Sequence, residues 1–98
     1  MRPLLPGDLD TATRALIPLP PEIRAAEAAR LVTAADTADR WRKRLGRAHP
    51  RLGDGTLMAA ALLTGPGTPV RWCDDGYCAA LATLLQALAA RRQTHQAR

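Results

Sequence analysis

The stretch Pro21–Leu45, PEIRAAEAARLVTAADTADRWRKRL, reads as one long amphipathic helix. Leu31, Ala34, Ala38, Trp41 and Leu45 recur at three- and four-residue steps and give a single apolar stripe. Ile23 and Ala26 lie near the start of the same face. Pro21 suits a first helical turn, Glu22 sits at the positive end of the helix dipole, and Gly46 follows as a C-cap. Alanine dominates the middle of the stretch, so a neighbouring helix can approach closely there.

The chain on either side is divided by proline and glycine. Upstream, Asp8 is a good N-cap for a short helix from about Leu9 to Ile17, stopped by Pro18-Leu-Pro-Pro21. Its apolar positions are Leu9, Ala12, Leu16 and Ile17. Downstream, His49-Pro50-Arg51-Leu52-Gly53 is a loop, and Asp54 or Thr56 caps a short helix over Leu57–Leu63. That segment is apolar on nearly every side, which calls for burial in the fold or between subunits. Gly65-Pro-Gly-Thr-Pro69 is a second break. Asp74 or Asp75 then caps a last helix to about Gln93, with a stripe of Tyr77, Leu81, Leu84, Leu85 and Leu88. The expected architecture is all-α: four helices, with helices two and four as a long antiparallel hairpin and two short helices beside it. Residues 1–93 form a single domain and residues 94–98 a frayed tail.

Composition agrees. Of 98 residues, 20 are alanine and 15 leucine, with no phenylalanine, two isoleucines and two valines. Ala and Leu favour helices, whereas sheets draw on branched and aromatic side chains. A chain this short buries roughly 60–65% of its unfolded surface, so a partner or a second copy is plausible. No run of apolar residues is long enough to span a membrane, and the opening lacks the apolar core of a signal peptide. A cytoplasmic chain with reduced Cys73 and Cys78 is expected, and a lone C-x4-C is no zinc site without two further ligands.

The net charge is +5, with 13 arginines and one lysine. The densest feature is Arg40-Trp-Arg-Lys-Arg-Leu-Gly-Arg-Ala-His-Pro-Arg51, whose twelve residues carry six basic side chains and no acid. Arg40, Lys43, Arg44 and Arg47 line one side of the helix while Trp41 and Leu45 can turn inward. Guanidinium forks pair bidentately with phosphate, and like charges packed this densely repel one another unless an anion is present. Candidate phosphate contacts are therefore Arg40, Arg42, Lys43, Arg44, Arg47 and Arg51, with His49 as a weak helper. A helix-turn-helix needs a turn of three or four residues; here about ten separate helices two and three, and helix three has no polar side chain to read bases.

Catalysis has little to work with. The chain contains no serine, and neither cysteine has a histidine nearby in sequence. Asp36 and Asp39 read as surface partners of basic neighbours, and Gly53-Asp-Gly55 lacks the ending of a phosphate loop. No enzyme, metal, cofactor or small-molecule substrate is expected.

Three stretches carry a resemblance: Met1–Leu9 (MRPLLPGDL), Ala38–Pro50 (ADRWRKRLGRAHP) and Gly53–Leu62 (GDGTLMAAAL). Together they resemble the small terminase subunit encoded just before the large terminase in Rhodobacter-type gene transfer agent clusters of alphaproteobacteria, over about residues 1–90. The resemblance implies an all-helical packaging component that forms a ring, binds double-stranded DNA with little sequence preference, and hands it to the large terminase, an ATPase and nuclease. It further implies an oligomer interface on helices two and four, through Leu31, Ala34, Ala38, Leu81, Leu84, Leu85 and Leu88. By position, Arg91 and Arg92 would dock the large subunit. Two other readings stand beside it: a helical adaptor whose basic patch docks an acidic protein without DNA, and a small enzyme or thiol redox protein built on Cys73 and Cys78.

Overall fold

The computed structural model describes residues 1–65 and 75–96. Among these residues there are four helices: α1 (Pro6–Leu16), α2 (Pro21–Leu45), α3 (Leu57–Leu62) and α4 (Asp75–Gln96). The class is all-α. Among the described residues the only extended pairing is an isolated bridge between His49 and Gly53.

Helix α1 starts earlier than the capping pattern predicts, because Pro6 fits a first turn and needs no N–H partner there. Asp8 is accordingly the third helical residue. Its Oδ2 accepts from the Leu5 N–H at 2.8 Å and its Oδ1 from the Met58 N–H at 2.9 Å, tying the starts of α1 and α3 together. At the other end of α1, Arg24 Nε donates to the carbonyls of Leu16 and Leu19 at 3.0 and 3.1 Å, and its Nη2 to that of Ile17 at 2.9 Å. The Leu16 carbonyl also accepts from the Leu19 N–H at 3.1 Å, so the guanidinium gathers the carbonyls of the turn that leaves α1. Thr56 caps α3, its Oγ1 accepting from the Ala59 N–H at 3.1 Å. Gly46 ends α2 in the left-handed conformation, φ +72°.

The core is built from Ala12 and Leu16 of α1, Ala28, Leu31, Val32 and Ala35 of α2, Leu57, Ala60 and Ala61 of α3, and Ala80, Leu84 and Leu88 of α4. Small side chains on α2 let α4 lie against it, and the two helices share the most extensive long-helix contact of the fold.

Their relative direction differs from the expected antiparallel hairpin. Helix α1 runs against α2, with Leu16 at Arg24 and the Met1 amine at Asp36. Helix α4 starts beside the middle of α1, where the Tyr77 hydroxyl donates to Asp10 at 2.7 Å, and it reaches Asp36 at Arg91. It therefore runs in the same sense as α2. An antiparallel pairing is enforced only when a short loop joins two helices in sequence; here α3 and the chain after it intervene.

Other expectations are met in part. Leu57, Ala60 and Ala61 of α3 are buried, but Leu62 and Leu63 are more than half exposed. Tyr77, Leu84 and Leu88 face the core while Leu85 is exposed. Leu45 also faces solvent rather than inward. Helix α4 continues to Gln96, so Thr94, His95 and Gln96 are helical. Asp74, the alternative cap, lies outside the described residues, as does Cys73.

Candidate nucleic-acid interface

The last turns of α2 project Arg40, Arg42, Lys43 and Arg44, and the segment after Gly46 folds back beside them with Arg47 and Arg51. Two devices hold that segment. The His49 N–H donates to the Gly53 carbonyl at 2.9 Å, with the reciprocal bond at 3.3 Å. His49 Nδ1 accepts from the N–H groups of Arg51 and Leu52 at 3.0 and 3.1 Å. The imidazole also packs edge-on to Trp41, centroids 4.6 Å apart. His49 is thus a loop-holding residue, with Nδ1 engaged by backbone.

Further on, Gly55 lies against α2. Its φ is +96°, and a Cβ there would sit 2.7 Å from Cα of Asp39. Only glycine meets both demands. Asp54 Oδ1 accepts from the Thr56 hydroxyl at 2.7 Å and from its N–H at 3.0 Å; these bonds, the hydroxyl first, lower the Asp54 carboxyl from its ordinary value.

Asp36 and Asp39 depart from the surface role expected of them. Both are buried, at 7% and 1% exposure. Asp36 receives the Met1 amine at 2.8 Å, Arg40 at 3.3 Å, and Arg91. Asp39 receives Arg42 at 2.9 Å, Lys43 at 3.2 Å and the Met1 amine at 3.3 Å. Burial pushes each carboxyl up, but the bonds from the Met1 amine and Arg91 to Asp36, and from Arg42, Lys43 and the Met1 amine to Asp39, outweigh it and hold both at about 2. The pairing followed from spacing; the burial did not. A signal was present, since residues 28, 32, 35 and 39 continue one helical stripe that already holds Ala28, Val32 and Ala35.

The six expected phosphate contacts therefore fall into two groups. Arg40, Arg42 and Lys43 each share a buried carboxylate, although Arg40 and Lys43 keep about two-thirds of their side chains exposed, at 66% and 68%. Arg44, Arg47 and Arg51 are exposed and have no carboxylate within 4.0 Å among the described residues. These three are the uncompensated charge of the cluster.

Seven residues expected at an oligomer interface are distributed differently. Leu31, Ala38, Leu84 and Leu88 are buried within the chain's own core, where no second copy can reach them. Ala34 and Leu81 are partly covered, and Leu85 is exposed. Of the two expected docking residues, Arg92 is exposed, whereas Arg91 is engaged with Asp36.

A family model for a domain of unknown function, DUF7742, matches residues 2–88. The chain belongs to this family. No curated protein and no solved structure matches it. The DUF7742 match takes in α1, α2, α3 and the buried part of α4. It includes Asp36, Asp39 and the whole of Arg40–Arg51, and stops before Arg91. In this DUF7742 domain no group of three or more His, Cys, Asp or Glu side chains is placed to hold a metal among the described residues. No helix among them is long and apolar enough to cross a membrane. Cys78 is exposed.

Proposed function

We propose that this DUF7742 domain is a small terminase-like DNA-packaging protein. It binds double-stranded DNA through phosphates, largely without sequence preference, and delivers it to the large terminase. The observation that carries the DNA-binding part is the uncompensated trio Arg44, Arg47 and Arg51 at one end of α2. Exposed guanidiniums without a carboxylate partner repel one another until an anion arrives, and they release counterions from DNA when it does. Arg40 and Lys43 add to the same field while sharing their aspartates, and Arg42 contributes least. Binding of this kind fixes position on the backbone and reads no base edges. The role is non-enzymatic.

Self-association into a ring belongs to the same reading. It is supported by the exposed leucines Leu62, Leu63 and Leu85, at 56%, 60% and 47% exposure, on a domain too small to shelter them itself. Binding of the purified protein to random duplex DNA, with solution mass recorded alongside, tests both parts. An oligomer that binds unrelated duplexes equally is the expected result. A monomer indifferent to DNA would overturn the reading and leave an acidic protein as the anionic partner.

A further inference from the structure

The outer side of α2 carries a feature that phosphate binding does not require. Thr37, Arg40, Trp41, Arg44 and Leu45 line an open groove of about 430 Å³. Its lining holds two guanidiniums, one hydroxyl, a half-buried indole and a leucine that is 46% exposed. Trp41 does not turn fully inward with the core stripe. Its ring is propped by the edge-on contact with His49, and His49 is itself pinned by two backbone N–H groups. The indole thus lines the groove and packs against a side chain that the loop backbone holds.

We propose that this groove is a stacking site for an unpaired nucleobase, whose flanking phosphates are held by Arg40 and Arg44. The inference rests on the phosphate-binding reading and adds a substrate class to it: single-stranded nucleic acid, or the unpaired end of a duplex. Phosphates alone would need only the guanidiniums. The indole and Leu45 add an apolar face, and every base carries a π-face that can cover it. Inside a duplex both faces of a base are covered by neighbours, and only the outer face of a terminal pair is open, so an unpaired base is the better occupant of the groove. A volume of this size also fits one small planar group. Arg44 has no carboxylate within 4.0 Å among the described residues, and Arg40 is only partly neutralised by Asp36 at 3.3 Å, so charge complementarity selects an anion-bearing occupant.

The test uses the Trp72→Phe protein, in which Trp41 is the single tryptophan. It is titrated with a deoxythymidine oligomer of about 12 nucleotides and with a blunt duplex of the same length. Trp41 emission reports the groove, and anisotropy of labelled DNA reports binding overall. Saturable quenching by the single strand, and little by the duplex, is expected. Trp41→Leu should weaken single-strand binding by about tenfold and leave duplex binding essentially unchanged. If Trp41→Leu loses its cooperative melt, Thr37→Gln, at an exposed position, narrows the groove and should show the same selective loss. DNA binding by anisotropy without quenching would overturn the stacking site and leave the phosphate reading standing. No binding of either DNA form would overturn both. Equal quenching by a polyglutamate peptide would overturn the nucleobase assignment in favour of an acidic peptide.

Discussion

Arg91 of α4 donates to Oδ2 of Asp36 in the middle of α2, the same oxygen that lies 3.3 Å from Arg40. One buried carboxylate thus joins the end of α4 to the start of the basic cluster, with the Met1 amine on its other oxygen at 2.8 Å. Three segments far apart in sequence meet at that side chain, and Asp39 one turn on gathers Arg42 and Lys43. The arrangement fixes which cations are compensated and which are open to a ligand.

Acid should loosen this junction. Asp36 and Asp39 sit at about 2 in the folded chain, below the ordinary aspartate value near 4. A depressed carboxyl stabilises the fold above the unfolded value, and that stability disappears as pH falls through the folded one. Stability should therefore decline between about pH 4 and pH 2, by about 2 kcal/mol for each group and less than the sum for both, since they share the Met1 amine. Urea midpoints for the parent and for Asp36→Asn across that window check it. The variant should be less stable at pH 6 and show a shallower acid decline; an identical decline would contradict the assignment.

Arg91 and Arg92 are neighbours with different surroundings. Arg91→Ala removes one of the three cationic partners that a buried carboxylate has among the described residues and should cost about 1–3 kcal/mol. Arg92→Ala changes an exposed side chain and should fall within about 0.5 kcal/mol of the parent. Thermal melts of the two variants distinguish them, and equal effects would mean that the Asp36 contact contributes nothing.

Gly55 is the tightest approach of the returning loop to α2. Gly55→Ala meets a left-handed backbone, φ +96°, and a Cβ 2.7 Å from Cα of Asp39. A loss of about 2 kcal/mol or more is expected. Gly46→Ala, at φ +72° but with open space around it, should cost about half as much. Similar melts for the two variants would show that the loop does not press on the helix.

The Tyr77 hydroxyl is the alkaline counterpart of the aspartates. Burial first, and the adjacent Asp10 carboxylate next, push it up to about 12. A raised value means that the fold holds the proton more tightly than the unfolded chain, so stability is complete below about pH 10 and is lost as pH climbs towards 12. Spectroscopic titration of the phenol should give the high midpoint, and Tyr77→Phe should remove this contribution to the alkaline decline.

Much of the fold was legible in the sequence because local rules and packing agree there. Pro21, the alanine-rich stripe and Gly46 bound α2 at the expected residues, and of the two caps open to α3, Asp54 or Thr56, it is Thr56 that caps it. What was not legible depends on long-range placement. Asp8 reads as the N-cap of a helix from Leu9, and only Met58, fifty residues on, shows what its second oxygen does. The leucines of α4 have the same periodicity whether they pack within a chain or between chains. The sense of α4 against α2 is set by contacts at Asp10 and Asp36, not by any local pattern. In the candidate site, the charge density of Arg40–Arg51 was plain, but its division into shared and unshared cations required the burial of Asp36 and Asp39. Burial of an aspartate is uncommon enough that spacing alone favours the surface reading.

The most direct test of the DNA-binding account is the salt dependence of duplex affinity, measured for the parent, for the triple variant Arg44→Ala, Arg47→Ala, Arg51→Ala, and for the double variant Arg42→Ala, Lys43→Ala. Three fully released arginines correspond to about a 40-fold loss per protomer between about 50 and 200 mM salt, and all six cations to about a thousand-fold. The parent should lie between these limits. The triple variant should lose most of the slope, and the double variant should keep most of it. A parent whose affinity ignores salt, or a triple variant with the parent's slope, would contradict the assignment of the unshared arginines as the phosphate contacts.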